Sequence, residues 1–489
     1  MKFYRTNIDL RLTVILFIFG LVYASISLVN HFLFRTYGWD LGLYNNALYD
    51  YSRFQWNNEI LLLPYLKISN SLGDHFSLTT VFISPLVWIF GSYTMLIFQI
   101  ASILWGGYGI YRYVEYISGE KKTARWATVH FLSMWGIYSA LAFDYHDNVV
   151  AAMFVPWFML YVFRKKYLLS SLFLLLILTA KENMALWTIF ICIGLITILY
   201  KEKRTLIYLM AATIFSGLYF IVVSKFVIPS LSGSDNDYIH FRYNVLGSSM
   251  KEALFFFFQH PVQSFTILFE NHTGNPAFYG IKSELHFLVL LSGGIALFYK
   301  PQFLLMLIPI YFQKMFHNDP GKWGIFLQYS VEFAPILTIA VFYSITKAAN
   351  KALKNYLMYA TVACSLLGAI YLLDHKREFN YPPEQARFYQ KQHYQTNYNI
   401  DSIYSAMKLI PPDAKVSAHS MLVPHLAIRD VIYYFPYIGD AEYVMALPSS
   451  GNYYPLNKNE FLFKLDSLQK DISWQTIYVD SSAILIKKR

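Results

Sequence analysis

A series of apolar runs, many of them flanked by short basic clusters, limits this chain more than any other feature. The runs cover 12–30, 93–113, 126–143, 148–163, 167–180, 184–200, 205–228, 286–299, 302–313, 331–346 and 355–373. Inside a bilayer each backbone N–H and C=O must be satisfied within its own segment, so such runs become helices. Short runs such as 167–180 imply tight packing or tilt. The expected fold is mainly α, a polytopic transmembrane helical bundle of about 11 spans. Composition agrees, because 14% of the residues are charged and 56% hydrophobic, whereas a soluble domain carries about a quarter charged residues. Many of the 41 Tyr and 41 Phe fall at the ends of runs, where aromatic rings suit the headgroup zone.

The net charge of +10 lies in clusters between runs, with no basic stripe or nucleic-acid motif. No nucleic-acid partner is expected. Cys192 and Cys364 both sit in apolar segments, without metal-ligand or redox spacing, and read as small buried hydrophobes. Lys2, Arg5 and Arg11 precede the apolar run Leu12–Val29, a pattern of an uncleaved signal anchor when many spans follow.

Charge sets the topology. A further apolar run, 76–91, either crosses or does not. If it crosses, the clusters Lys121/Lys122/Arg125, Arg164/Lys165/Lys166 and Lys201/Lys203/Arg204 face outward, against the positive-inside bias. If it re-enters or lies on the surface, those clusters, Lys300 and Lys347/Lys351/Lys354 all face the cytoplasm. The second reading is adopted. The N-terminus is then cytoplasmic in a multi-pass plasma-membrane protein, and 31–92, 143–147, 180–184, 229–285 and 314–330 are outside. A bundle over 1–373 precedes a soluble extracytoplasmic domain over 374–489. That domain shows a helix ending before Pro411-Pro412, β-rich runs 415–419, 431–435, 442–447, 474–479 and 482–487, and helices at 421–428 and 457–470. A small α/β layer is expected.

Ionisable residues collect in the outer turns. Asp40, in Tyr37-Gly38-Trp39-Asp40-Leu41-Gly42, is either a base among aromatic rings or a cap for the helical run 41–53. Asp74-His75 opens the run 76–91, suited to phosphate or sugar binding or to capping. Asp144, His146 and Asp147 crowd one turn, where they could bind a divalent metal or form a hydrogen-bonded turn. Lys181-Glu182 interrupts 167–200, where Lys181 either attracts a phosphate or caps a solvated hairpin tip. His272, His317, Lys322, His425 and Arg429 are individually weak signals, and Gln328-Tyr329 stands before the span 331–346.

Taken in order, Asp40-Leu41-Gly42, Asp74-His75-Phe76-Ser77, Phe143-Asp144-Tyr145-His146, Thr179-Ala180-Lys181-Glu182 and Gln328-Tyr329 resemble the GT-C superfamily of membrane glycosyltransferases. The similarity is greater to an uncharacterised bacterial and archaeal branch of it. Residues 410–414, Pro424-His425-Leu426 and Arg429 also resemble that branch's outer domain. The resemblance implies transfer of a sugar from a polyprenyl-phosphate donor to an envelope glycan, lipid or protein on the outer face. It implies Asp40 as catalytic base and Lys181, with His75 or His146, as phosphate ligands; Asp74, Asp144, Glu182, Gln328 and Tyr329 would support the site. The chain lacks the acidic pair found at this position in several members, which leaves divalent metal use open; no other cofactor is implied. Two other readings stand: a transporter or flippase of a lipid-linked sugar, whose charges belong near the bilayer midplane, and a non-catalytic envelope assembly protein.

Overall fold

The computed structural model describes residues 9–58, 61, 68–233, 241–375 and 382–489. Lys2 and Arg5 lie outside the described residues. Every expected span is helical: Leu10–Phe32, Thr94–Ser118, Asp147–Phe163, Tyr167–Ala180, Met184–Ile198, Lys203–Val222, Ile281–Val289 with Ile295–Tyr299, Pro301–Met315, Phe333–Ile345 and Lys351–Leu373 all coincide with apolar runs. The run 286–299 is interrupted at Ser292 and Gly293, whose backbones leave the helical region; the run 126–143 is broken too. It is two helices, Lys121–Leu132 and Trp135–Leu141, because Met134 adopts an extended backbone (φ −65°, ψ 128°) that breaks the i→i−4 ladder. Among the described residues, five helical stretches are long and apolar enough to cross a membrane, and four shorter apolar helices accompany them.

The run 76–91 folds as short pieces, Leu78–Ile83, Ser84–Leu86 and Val87–Phe90, ahead of Thr94–Ser118. Gly91 turns the chain between them at φ 55°. Each piece alone is far shorter than the roughly 20 residues needed to cross hydrocarbon.

The chain forms two compact units: residues 1–25, 99–223 and 238–386, and residues 26–98, 224–237 and 387–489. In the first, helix Asp147–Phe163 is buried on nearly every face. That explains its uniformly apolar sequence without an amphipathic stripe.

The second unit carries a five-stranded sheet: β1 (Val416–Ala418), β2 (Ile432–Tyr434), β3 (Tyr443–Ala446), β4 (Trp474–Val479) and β5 (Ile484–Lys488). Its order is β2-β1-β3-β5-β4; β1 runs parallel to β2 and β3, while β5 is antiparallel to β3 and β4. All five strands fall on the β-rich runs of the sequence. The helix expected at 421–428 is shorter, Val423–Leu426, with Pro424 in its first turn. Side chains alternate across the sheet. Val444, Ala446 and Ile486 pack with Phe461 and Leu465 of helix Lys458–Lys470. Tyr443, Met445 and Leu485 pack on the other face with Leu422, Val423 and Phe34.

Phe34 shows how the first loop joins this core. Behind it, Asn45 Nδ2 donates to Ser92 O (3.0 Å) and Pro424 O (2.9 Å), and Asn46 Nδ2 donates to Ala427 O and Arg429 O (3.2 and 3.0 Å). The His31 and His425 rings stack at 3.9 Å, nearly parallel at 2°. Gly42 packs so closely that a Cβ there would lie 2.6 Å from Val423 Cγ1. Gly42→Ala is therefore expected to cost about 1–3 kcal/mol by overpacking, and to cost less in a Val423→Ala background. Thermal unfolding of the four proteins of this cycle measures the coupling; equal costs in both backgrounds would refute the contact.

Candidate functional site

Asp40, Asp74 and His75 belong to the second unit; Asp144, His146, Asp147, Lys181, Glu182, Gln328 and Tyr329 belong to the first. In the second, Gly38–Gly42 forms a single π-helical turn, closed by Gly42 N donating to Tyr37 O at 3.1 Å. Gly38 N donates to Ser420 Oγ (3.3 Å), so the turn is seated on the C-terminal α/β layer. Asp40 is half-buried in it. The capping role is not what Asp40 does: helix Leu43–Ser52 starts at Gly42 with no side-chain cap.

Asp74 likewise caps no helix start. It ends the short turn Ser71–Gly73, and Ser77 precedes helix Leu78–Ile83. Leu72 anchors this segment against Ala47 and Tyr51 of the helix that follows Asp40. His75 stands half-buried beside Asp74.

In the first unit, Gln99 clamps the Asp144 turn: its Nε2 donates to Asp144 O and its Oε1 accepts from His146 N, both at 3.0 Å. Asp144 takes a positive φ of 38° there. The His146 ring stacks on Phe143 (5.4 Å), and Tyr145 OH donates to Asp147 Oδ1 (2.8 Å) at the start of helix Asp147–Phe163. Of the two readings of Asp144, His146 and Asp147, a metal site or a hydrogen-bonded turn, the contacts match the turn. Among the described residues no group of three His, Cys, Asp or Glu side chains could hold a metal ion; Asp147 instead accepts a hydrogen bond from the Tyr145 hydroxyl.

Lys181 leaves helix Tyr167–Ala180 in an extended conformation, and Glu182 beside it is fully buried. The loop 316–332 is built around buried cations. Lys314 Nζ donates to Gly324 O and Ser330 Oγ, each at 2.9 Å. Asn148 Nδ2 donates to Glu332 Oε1 (2.8 Å) and Gln328 O (3.2 Å), tying the Asp147 helix to this loop. Glu332 lies in the fields of both Lys314 and Lys181. Lys282 Nζ donates to Ile267 O, Met315 O (2.7 Å) and His272 Nδ1 (3.1 Å), and stands 4.4 Å from the Trp323 ring centroid. Burial, reinforced by the Lys282 charge, pushes His272 down to about 4.

Lys322 completes the set. Its ammonium lies 3.2 Å from His317 Nε2 and 4.8 Å over the Tyr329 ring. Burial first, then the charges of Lys181 and Arg242, push it down to about 8, with Asp319 opposing. Several cations held together while partly desolvated form a receptor for a multivalent anion such as phosphate. Contacts join Tyr329 to Lys322 and Gln328, through Asn148, to Glu332, while the Lys181 charge is felt at both Lys322 and Glu332; Lys314, Arg242, Asn148 and Glu332 are not among the residues that the sequence reading names. Glu332 carried a usable signal, since it is an ionisable residue inside the apolar run 331–346.

Breaking this network has a definite expected effect. Lys314→Met is expected to lose about 1–3 kcal/mol, because Gly324 O and Ser330 Oγ lose their donor and the buried Glu332 loses one of its two neighbouring cations. Adding Glu332→Gln should recover part of that loss. Thermal unfolding of the purified protein in detergent reads both, and strictly additive losses would refute the coupling.

The fold is similar to that of ArnT from Cupriavidus metallidurans in its crystal structure bound to undecaprenyl phosphate. The TM-score is 0.54 at 10% identity, over 98% of this chain and 97% of that one. The apo ArnT structure matches at TM-score 0.49 and 10% identity, over 95% and 97%. No curated protein matches the chain in sequence. A family model described as a predicted membrane protein of the DUF2079 type matches residues 30–471. Its sequence matching that model over most of its length, the chain belongs to the DUF2079 family of predicted membrane proteins.

Proposed function

We propose that this protein is a membrane glycosyltransferase that takes a sugar from a polyprenyl-phosphate donor at the outer face of the plasma membrane. The observation that carries the reading is the lysine cluster: Lys322, under the charges of Lys181 and Arg242, offers a receptor for a lipid phosphate. The ArnT fold supports it, as that protein was crystallised with undecaprenyl phosphate. The N-terminus is assigned to the cytoplasm and residues 374–489 to the outside, consistent with the positive-inside bias. The outer segment offers an acyl-binding surface: Leu254, Phe255, Phe258, Val262 and Phe265 of helices Met250–Gln259 and Pro261–Ile267 are exposed.

In the proposed reaction Asp40 takes the proton of an acceptor hydroxyl. The acceptor oxygen bonds to the anomeric carbon as the bond from that carbon to the phosphate oxygen breaks, through an oxocarbenium-like centre. The bonding pair leaves with the lipid phosphate, whose added negative charge is met by Lys181 and Lys322. Asp74, His75, Asp144, His146, Glu182, Gln328 and Tyr329 are assigned to positioning donor and acceptor.

Asp40→Asn is expected to lower turnover of a radiolabelled polyprenyl-phosphate sugar by about 10²–10⁴-fold while leaving donor binding within about threefold. Normal turnover by that variant would overturn the assignment of the base. Lys322 supplies a second test. With its folded value near 8, the ammonium is charged below that pH, so donor affinity should be full there and fall as pH rises through it. Lys322→Arg, which stays charged throughout, should flatten this alkaline limb in a KM-against-pH profile. An identical limb in both proteins would remove Lys322 from the phosphate site.

A further inference from the structure

We propose that the first unit carries a separate site for an anionic phospholipid, in a groove at the starts of helices Leu10–Phe32, Lys121–Leu132 and Lys351–Leu373. The groove encloses about 690 Å³. Its polar rim is basic: Arg11, Lys122 and Arg125. Arg11 and Lys122 are exposed, and among the described residues the lining holds no carboxylate.

The neighbouring acids are already engaged. Asp9 accepts from Tyr111 OH (2.9 Å) and from Arg125 Nη1 (3.3 Å), while Glu120 accepts from Lys354 Nζ and Thr123 Oγ1, each at 2.7 Å. Among the described residues Lys122 Nζ has a 3.3 Å bond to Asn355 Oδ1 and a position 5.4 Å over the Tyr359 ring. Positive charge is therefore in excess at this rim.

The walls are of the opposite character. Val14, Ile15 and Val129 lead inward along their helices, and Trp126 stands edge-on to Tyr359 at 5.1 Å. A soluble anion would use the rim and leave these walls wet. A phospholipid fits both: its phosphate meets Arg11 and Lys122, its glycerol backbone lies at the aromatic pair, and an acyl chain covers the aliphatic wall. None of the lining residues belongs to the Asp144 turn or to the lysine cluster above, so the groove is a different place in the same unit.

The test uses delipidated full-length protein in neutral detergent, with native mass spectrometry and thermal unfolding as readouts. Dioleoyl phosphatidylglycerol should bind and raise the unfolding temperature; dioleoyl phosphatidylcholine should do neither. The Arg11→Gln/Lys122→Gln double variant, which leaves the Asp9–Arg125 pair intact, should bind phosphatidylglycerol about 30-fold more weakly. Val14→Trp, which fills the wall and keeps the charges, should weaken it as well. Equal binding of the two lipids, or unchanged affinity in the charge variant, would overturn the proposal. So would soluble glycerol phosphate competing as well as the whole lipid, since that would make the groove a free-phosphate site.

Discussion

An ammonium group can sit inside a packed helical bundle only if oxygen atoms take its protons and a counter-charge lies near. Lys314 meets that condition, and much of the surrounding structure follows from how. Gly324 O and Ser330 Oγ come from one loop, so residues 316–332 must fold back over the end of helix Pro301–Met315. Gly136 permits this, because a Cβ there would lie 2.4 Å from Ser330 O. Ser139 Oγ then holds Leu327 O at 2.8 Å, where Leu327 takes φ 60°. With that loop fixed, Trp323 Nε1 reaches His317 O at 2.8 Å, and Lys322 is set over Tyr329. Satisfying one buried charge thus places another where an anion can use it.

The second unit solves a different problem, holding a glycine-rich acidic turn in one conformation. A short loop with Gly38 and Gly42 has little stiffness of its own. Packing supplies it: Phe34 in the core beneath the sheet, the amides of Asn45 and Asn46 on the carbonyls of 424–429, and Asn57 Nδ2 on Asn46 Oδ1 and Asp50 Oδ2 at 2.9 Å each. Arg53 bridges Asp50 and Asp430. Residues far apart in sequence therefore determine the orientation of Asp40, and the C-terminal sheet is part of the support of that turn.

What could be read in the sequence divides along the same physical lines. Helical spans were legible because the backbone requirement acts within each segment, and strands 416–418, 432–434, 443–446, 474–479 and 484–488 were legible from local β-propensity between turns. The break at Met134 was not, since no Pro or Gly marks it. The lysine cluster was legible only in part. Lys181 stands out by interrupting an apolar run, but Lys314 and Arg242 carry no such local mark. Their meeting depends on tertiary contacts with no local pattern. The metal reading of Asp144, His146 and Asp147 failed for the complementary reason: closeness in sequence fixes neither side-chain direction nor the partner each group finds.

The cations also clarify each other. The positive-inside bias counts Lys and Arg in short loops as signals of the cytoplasmic side, and on the proposed topology Lys314 and Lys322 are exceptions to it. Both are withdrawn from the surface, Lys314 almost completely, and engaged with carbonyls, hydroxyl, imidazole or aromatic faces. Arg11 and Lys122, by contrast, remain exposed at helix starts while their acidic neighbours are paired elsewhere. Retaining partly desolvated lysines on the side where they oppose orientation is costly for a chain of this kind, and the cost is intelligible if they are kept for an anion that must be bound there.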